Sequence, residues 1–456
     1  MTEPTSPQGA AHENAATVGA VLARRLSELG VRRIWGLRSS ELRGLDHVPV
    51  DDVDLAVLLA DVDGRLGGAD GAGRLGAALV AGPILHLSSA PGGLAPLQTI
   101  GSVEELLDAL IDPPGLRRPG TLALHLDLDL TAPVAGPVGP SAEPERTPVV
   151  TLDPSLAGLR IVVLAGPGVV RSGSMAALRS ASRQLGAPVV ATWGARGVES
   201  FQSAFDAGVG GLQDRDLELG GLASADVVLT TGLDPDEVPA GVLDSLVVQD
   251  VAPTQLAALC RNWPATSVSE PVDRPSIRNA LAPVLDPMYE DAGAPLSPAR
   301  AALHLAGALP DGGVATSSRS PVGFWVARTF PTRFVHSLCV PATDAPGTAI
   351  AAALVAAFDD RVAVAVVDER DGPAVDATSA AVVDLARTLD RSIRVQVWSE
   401  DGPSLDADAH VAQVRAALRH SGVRIDVVGV RLDVPEALIE LAGARRPGFD
   451  GRRDPA

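Results

Sequence analysis

Ile161-Val-Val-Leu-Ala-Gly-Pro-Gly-Val-Val-Arg-Ser-Gly173 decides the fold. An apolar run breaks at Gly166-Pro167-Gly168 and gives way to a helical pattern that ends near Leu185. That is a buried parallel strand, a tight turn and a crossover helix. Pro188 to Thr192 reads as a second strand, followed by the glycine-bracketed loop Gly194-Ala195-Arg196-Gly197. Asp226 to Thr231 is a third strand and Leu246 to Gln249 a fourth, running into Asp250-Val251-Ala252-Pro253. Strands that alternate with helices imply a doubly wound parallel sheet covered on both faces.

Working outward, the chain of 456 residues has the length of about three domains. Its 46% hydrophobic content is enough to fill their cores. The net charge of −19 argues against nucleic acid and against an anionic membrane as partners, because phosphate surfaces require clustered positive charge. All 37 basic residues are arginine. Schiff-base catalysis and a P-loop lysine are thereby excluded. Cys260 and Cys339 are too few for a disulfide framework or a cysteine zinc site. The start of the chain has neither a basic cluster nor an apolar core of a signal peptide, and Ala349 to Phe358 is too short to span a bilayer. A cytoplasmic location is expected.

The four pieces of the 159–261 stretch, in this order and spacing, resemble the central domain of acetolactate-synthase-type thiamine diphosphate enzymes. That resemblance implies three Rossmann-like α/β domains: pyrimidine-binding-like, central and diphosphate-binding-like. The matching division is a polar tail over 1–13, a truncated first domain over 14–132 and a Pro-rich linker over 133–158. The central domain follows over 159–261, then a second Pro-rich, irregular linker over 262–296. The third domain covers 297–445, and a tail expected to be disordered covers 446–456. In the central domain, Gly166 and Gly168 either let the chain turn closely under a helix or serve a nucleotide. FAD is not expected.

The same resemblance assigns site residues. In the family, a strand of the first domain ends in a glutamate that protonates the cofactor's aminopyrimidine ring, and a helix of small residues follows. Here the run Leu55-Ala-Val-Leu-Leu59 reads as that strand. Anchoring on Gly64, Ala69, Gly71 and Arg74 puts Val62 at the glutamate's position, between Asp61 and Asp63. Valine can neither donate nor accept the proton, although glyoxylate carboligases, one branch of the family, carry valine there. Asp61 and Asp63 are the candidate substitutes, and otherwise form a solvated acidic loop. His86 reads as a core histidine or as an acid–base group. One strand-and-helix unit is missing between Ala81 and Pro83.

In the third domain the family holds magnesium and the cofactor's diphosphate at the ends of two strands. The expected equivalents are Asp371 and Gly372 after the strand ending at Val367, and Ser399 and Glu400 after Trp398. Asp371 and Glu400 are the candidate magnesium ligands. Gly347 opens the alanine-rich helix that faces the diphosphate. Oxygen ligands and helix N-termini suit that chemistry. The residue types are altered, however: Glu400 stands where the family has a neutral amide. Two unit charges 4 Å apart repel by about 4 kcal/mol at an effective dielectric of 20. Arg370 adds a Cβ where a glycine allowed close approach.

Two readings follow from the resemblance. One is a degenerate, non-catalytic partner or regulatory subunit. The other is an active carboligase or decarboxylase of a 2-oxo acid that uses thiamine diphosphate and magnesium. A third, resting on Gly166 and Gly168 alone, is a nucleotide-binding module. A homodimer or homotetramer is expected, with a related active subunit as a further partner.

Overall fold

The computed structural model describes residues 16–67, 73–88, 96–113, 120–134, 150–238, 241–264, 274–333, 336–341 and 345–449. The expected tail over 1–13 and most of the linker over 133–158 lie outside the described residues. The first domain runs α1 (Val18–Glu28), β1 (Arg33–Gly36), β2 (Asp46–Pro49), α2 (Val53–Leu66), β3 (Gly76–Val80), β4 (Ile84–Ser88), β5 (Leu97–Ile100), α3 (Val103–Ala109) and β6 (Thr121–Leu126). Its sheet has the order β2-β1-β3-β4-β6-β5. Only β4 runs antiparallel to its neighbours. The chain turns from β3 to β4 through residues 81–83 alone, and so short a link permits only an antiparallel neighbour.

The run Leu55–Leu59, expected as a strand, is part of helix α2. A short apolar run cannot be told from a buried helix by periodicity alone, and the deciding signal is the cap. The Asp52 side chain accepts from the Leu55 N–H at 2.9 Å and satisfies one of the helix's free donors. Leu55, Ala56, Leu59, Ala60 and Leu66 are then buried. A Cβ on Gly76 would sit 1.7 Å from the Ala60 carbonyl oxygen, so glycine is what lets β3 pass directly beneath this helix.

The central domain holds β7 (Ile161–Ala165), α4 (Gly168–Arg171), α5 (Met175–Leu185), β8 (Val189–Thr192), β9 (Asp206–Gly210), α6 (Asp216–Leu219), β10 (Val227–Thr231), β11 (Val248–Asp250) and α7 (Leu256–Leu259). Its sheet is parallel throughout, in the order β11-β10-β7-β8-β9. The expected second linker is not irregular along its length: α8 (Ile277–Glu290) occupies it. Pro283 and Pro287 lie inside this helix, each removing one backbone hydrogen bond. Ser276 caps the start, and burial of Ile277, Leu281 and Leu285 offsets that loss.

The third domain contains α9 (Pro298–Ala308), β12 (Val314–Thr316), α10 (Pro321–Thr329), β13 (Leu338–Cys339), α11 (Thr348–Phe358), β14 (Ala363–Asp368), α12 (Ala377–Thr388), β15 (Arg394–Ser399), α13 (Ala407–Arg419), β16 (Arg424–Gly429) and α14 (Glu436–Ala442). The parallel sheet has the order β13-β12-β14-β15-β16. Alternate residues of β14 and β15 enter two different cores. Val364, Val366 and Trp398 join the core shared with α9, α10 and the central domain, whereas Ala365, Val367 and Val397 join the core shared with α11 and α2. The end of the chain departs from the expected disordered tail, because residues 446–449 are docked. Phe449 is fully buried, its ring 5.2 Å edge-on from Trp193, and the Arg446 N–H donates to the Leu212 carbonyl. Residues 450–456 lie outside the described residues. Among the described residues, no helix is long and apolar enough to cross a membrane.

Candidate functional site

The third-domain strand ends bring most of the expected residues into one neighbourhood and give each a protein partner. β14 ends in Asp368, and the chain turns through Glu369 and Arg370 to Asp371 and Gly372. The Asp371 N–H donates to Asp368 Oδ1 at 2.9 Å, and Arg370 reaches Asp368 Oδ2 at 3.1 Å. Ser318 Oγ donates to Asp371 Oδ2 at 2.8 Å, and Ser379 Oγ donates to the Asp371 carbonyl at 2.7 Å. Both aspartates are buried. From β15, the Ser399 hydroxyl donates to Glu369 and accepts from the Asp401 N–H. Glu400 turns elsewhere: its Oε1 accepts from the Leu432 N–H at 3.2 Å, beside Arg431 and Asp433. Asp371 and Glu400 thus serve different parts of the fold, and no cluster of three His, Cys, Asp or Glu suited to a metal occurs among the described residues.

Gly347 caps α11 with φ +77°, a conformation glycine adopts freely, and a Cβ there would lie 2.8 Å from the Thr378 methyl. The adjoining helix α12 brings its own anion: the Asp376 carboxylate accepts from the Ser379 N–H at 2.6 Å. A carboxylate at a helix N-terminus supplies the negative charge that a phosphate would otherwise bring. Asp368, Glu369, Asp371 and Asp376 therefore gather around the place where the resemblance puts a diphosphate. The nearby Arg370 side chain is largely exposed and already paired with Asp368.

In the first domain, Val62 is not at a strand end. It is buried inside α2, among residues that pack against α11. Asp63, next to it, is spent on structure: Arg74 Nη1 lies 2.6 Å from its Oδ1, and Trp35 Nε1 donates to its Oδ2 at 3.0 Å. Asp61 meets His86 of β4, with 3.3 Å between Oδ1 and Nε2. That pair joins two residues that sequence spacing left apart. The strand that leads into the helix is β2, so the strand-end position falls at Val50-Asp51-Asp52. The cap pattern of Asp52 followed by an apolar helix was the signal that pointed there.

The central crevice has a polar cluster that the sequence did not reveal. A Cβ on Gly166 would sit 2.4 Å from the Gly232 carbonyl oxygen, and one on Gly168 would sit 2.7 Å from Gly232 Cα. These glycines allow two backbone segments to touch. Arg171 makes two hydrogen bonds to Asp234, at 2.8 and 2.6 Å, in full burial. Glu237 accepts from the Thr192 hydroxyl and from the Gly194 N–H. Burial, with Asp234 alongside, pushes its carboxyl up to about 8. Arg65 of α2 faces the same acids, so the first domain contributes to this cluster.

Residues 157–257 match the family model of the thiamine pyrophosphate enzyme central domain. No curated protein sequence matches the chain. Among solved structures, the chain is similar to a provisionally assigned thiamin diphosphate-dependent enzyme from Mycobacterium smegmatis. The TM-score is 0.61 at 15% identity, over 91% of this chain and 99% of that one. At that identity the likeness is one of fold, and it extends beyond the matched central segment to the domains on either side. The central domain thus matches that family's central-domain model over residues 157–257, and the chain's three α/β units share their fold with the solved structure.

Proposed function

We propose that this chain is an acetolactate-synthase-like member of the family whose cofactor site is dismantled, and that it acts as a non-catalytic partner or regulatory subunit. The observation that carries this reading is the separate commitment of Asp371, Ser399 and Glu400. Each is bonded to a different protein group, in a neighbourhood with a surplus of carboxylates. Magnesium needs several oxygens converging on one point, and a diphosphate needs donors and positive charge. FAD has no place in it either, because the Arg171–Asp234 pair and Glu237, all buried, already occupy the central crevice. The assembly we propose is a homodimer or homotetramer, or a complex with a related active chain, in the cytoplasm.

Titration calorimetry of the full chain with thiamine diphosphate and magnesium tests the reading. No heat at millimolar cofactor is expected. Micromolar, magnesium-dependent binding would refute it.

A further inference from the structure

Strand β9, helix α8 and the third-domain helices α9 and α10 meet around a cavity of 270 Å³ that has no part in the strand-end site. Val209, Ile277, Leu281, Leu285, Leu303 and Pro331 make its walls apolar. A dry apolar cavity of about 150 Å³ already accepts benzene, so this space suffices for a single-ring molecule. Its polar groups are few and placed unevenly. Arg196 and Arg328 form the inner wall, are only 6% exposed, and are neutralised by Asp206 and Asp216. Each keeps a buried Nε–H with no acceptor among the described residues.

Arg278 is different. It is exposed, its guanidinium lies 3.9 Å from the centroid of Phe201, and it donates to the Phe201 carbonyl. It forms no ion pair among the described residues, so its charge is available at the edge of the apolar space. Asp286 also lines the cavity, eight residues further along α8 and about 12 Å away on the helix axis. An anionic group is therefore favoured at the Arg278 end and disfavoured at the other. A pocket of mostly apolar lining with one uneven charge selects an amphipathic anion.

We propose that this cavity is a binding site for a small monocarboxylate with an apolar, single-ring body. The carboxylate pairs with Arg278, and the ring rests against Leu281 and Leu285. Because the walls come from the central domain, the connecting helix and the third domain, the bound molecule holds all three together. Ligand binding then stabilises the folded chain by mass action.

Ligand-observed NMR and thermal melting of the full chain, with benzoate as probe and neutral benzamide as comparison, test this proposal. Benzoate should raise the melting temperature, and benzamide should bind about tenfold more weakly. Arg278→Gln should bring benzoate down to the benzamide level. Ala282→Phe, which fills the cavity from the half-exposed side of α8, should abolish both. If Ala282→Phe fails to fold, Arg278→Gln decides alone. No benzoate binding at millimolar concentration, equal binding of the two probes, or full benzoate affinity in either folded variant would overturn it. Thiamine diphosphate appears in none of these measurements, so the outcome is independent of the cofactor question.

Discussion

Asp216 shows how much of this fold rests on single buried charges. Its carboxylate accepts from the N–H groups of Leu212 and Gln213 at 2.7 and 2.8 Å, and from Arg328 Nη2 at 2.7 and 2.9 Å. Arg328 also donates to the Val209 carbonyl, so a third-domain helix is tied to the central domain by one guanidinium. Removing one member of a buried pair leaves the other charged and without compensation, at a cost of about 3–5 kcal/mol. Asp216→Asn should therefore lower stability to urea by that amount, and adding Arg328→Met should restore part of it. A double variant no more stable than the single one would show that charge is not the issue. In the sequence Asp216 is one acid in Gln213-Asp214-Arg215-Asp216, with nothing to mark it. The strand-end acids were legible because strands are. Asp371 does stand just after β14, but the serines and backbone groups that occupy it come from distant positions, which local pattern does not encode.

At the level of elements, legibility followed the strength of local signals. Apolar runs located β7, β14 and β15, whose residues are buried on both faces. β9, Asp206–Gly210, was missed because two of its five residues are glycines and it reads as a turn. α8 was missed because two prolines argue against a helix, and tertiary burial overrode them. A pairing between α9 and α13 escaped notice for another reason: histidine spacing along the chain says nothing about it. His304 Nδ1 and His410 Nδ1 lie 2.9 Å apart, His410 Nε2 is 2.9 Å from Gln396 Nε2, and Trp398 Nε1 donates to Gln396 Oε1 at 2.8 Å. The amide nitrogen must donate to His410 Nε2, which leaves the His410 Nδ1–H to donate to His304. Both rings are neutral in this arrangement. Burial is the main cause that holds His304 down to about 4, with Arg300 next, and His410 down to about 3, with His304 next. The unfolded imidazoles take up protons near 6.5 while the folded ones do not, so this contribution is complete above that pH. It is lost as pH falls from there through 4 and toward 3, by up to about 1.4 kcal/mol per unit for each histidine. Melting temperatures should fall between pH 7 and pH 4, and less steeply once both histidines are replaced by leucine. An equally steep fall in that double variant would assign the acid sensitivity to other groups.

Across the whole molecule, the first and third domains of one chain are bound by a core and a charge network that lie together. α2 packs on α11, and Val62 belongs to that apolar contact. Beside it, Asp359 at the end of α11 pairs with Arg33 and, at 2.7 Å, with Arg74 Nη2. Arg74 in turn holds Asp63, and Arg33 donates to the Val355 carbonyl at 3.2 Å. Trp35 meets Phe358 edge-on at 5.2 Å. The interface is thus filled with alkyl groups and paired ions. Two arginines share Asp359, so its loss leaves two buried guanidiniums with Asp63 as their one remaining carboxylate among the described residues. Asp359→Asn should weaken the docking of the first domain by about 3–5 kcal/mol while leaving each domain's own core intact. Scanning calorimetry should then resolve a separate, lower transition for the first domain. A single transition at the original temperature would mean that the α2–α11 packing alone holds the domains together.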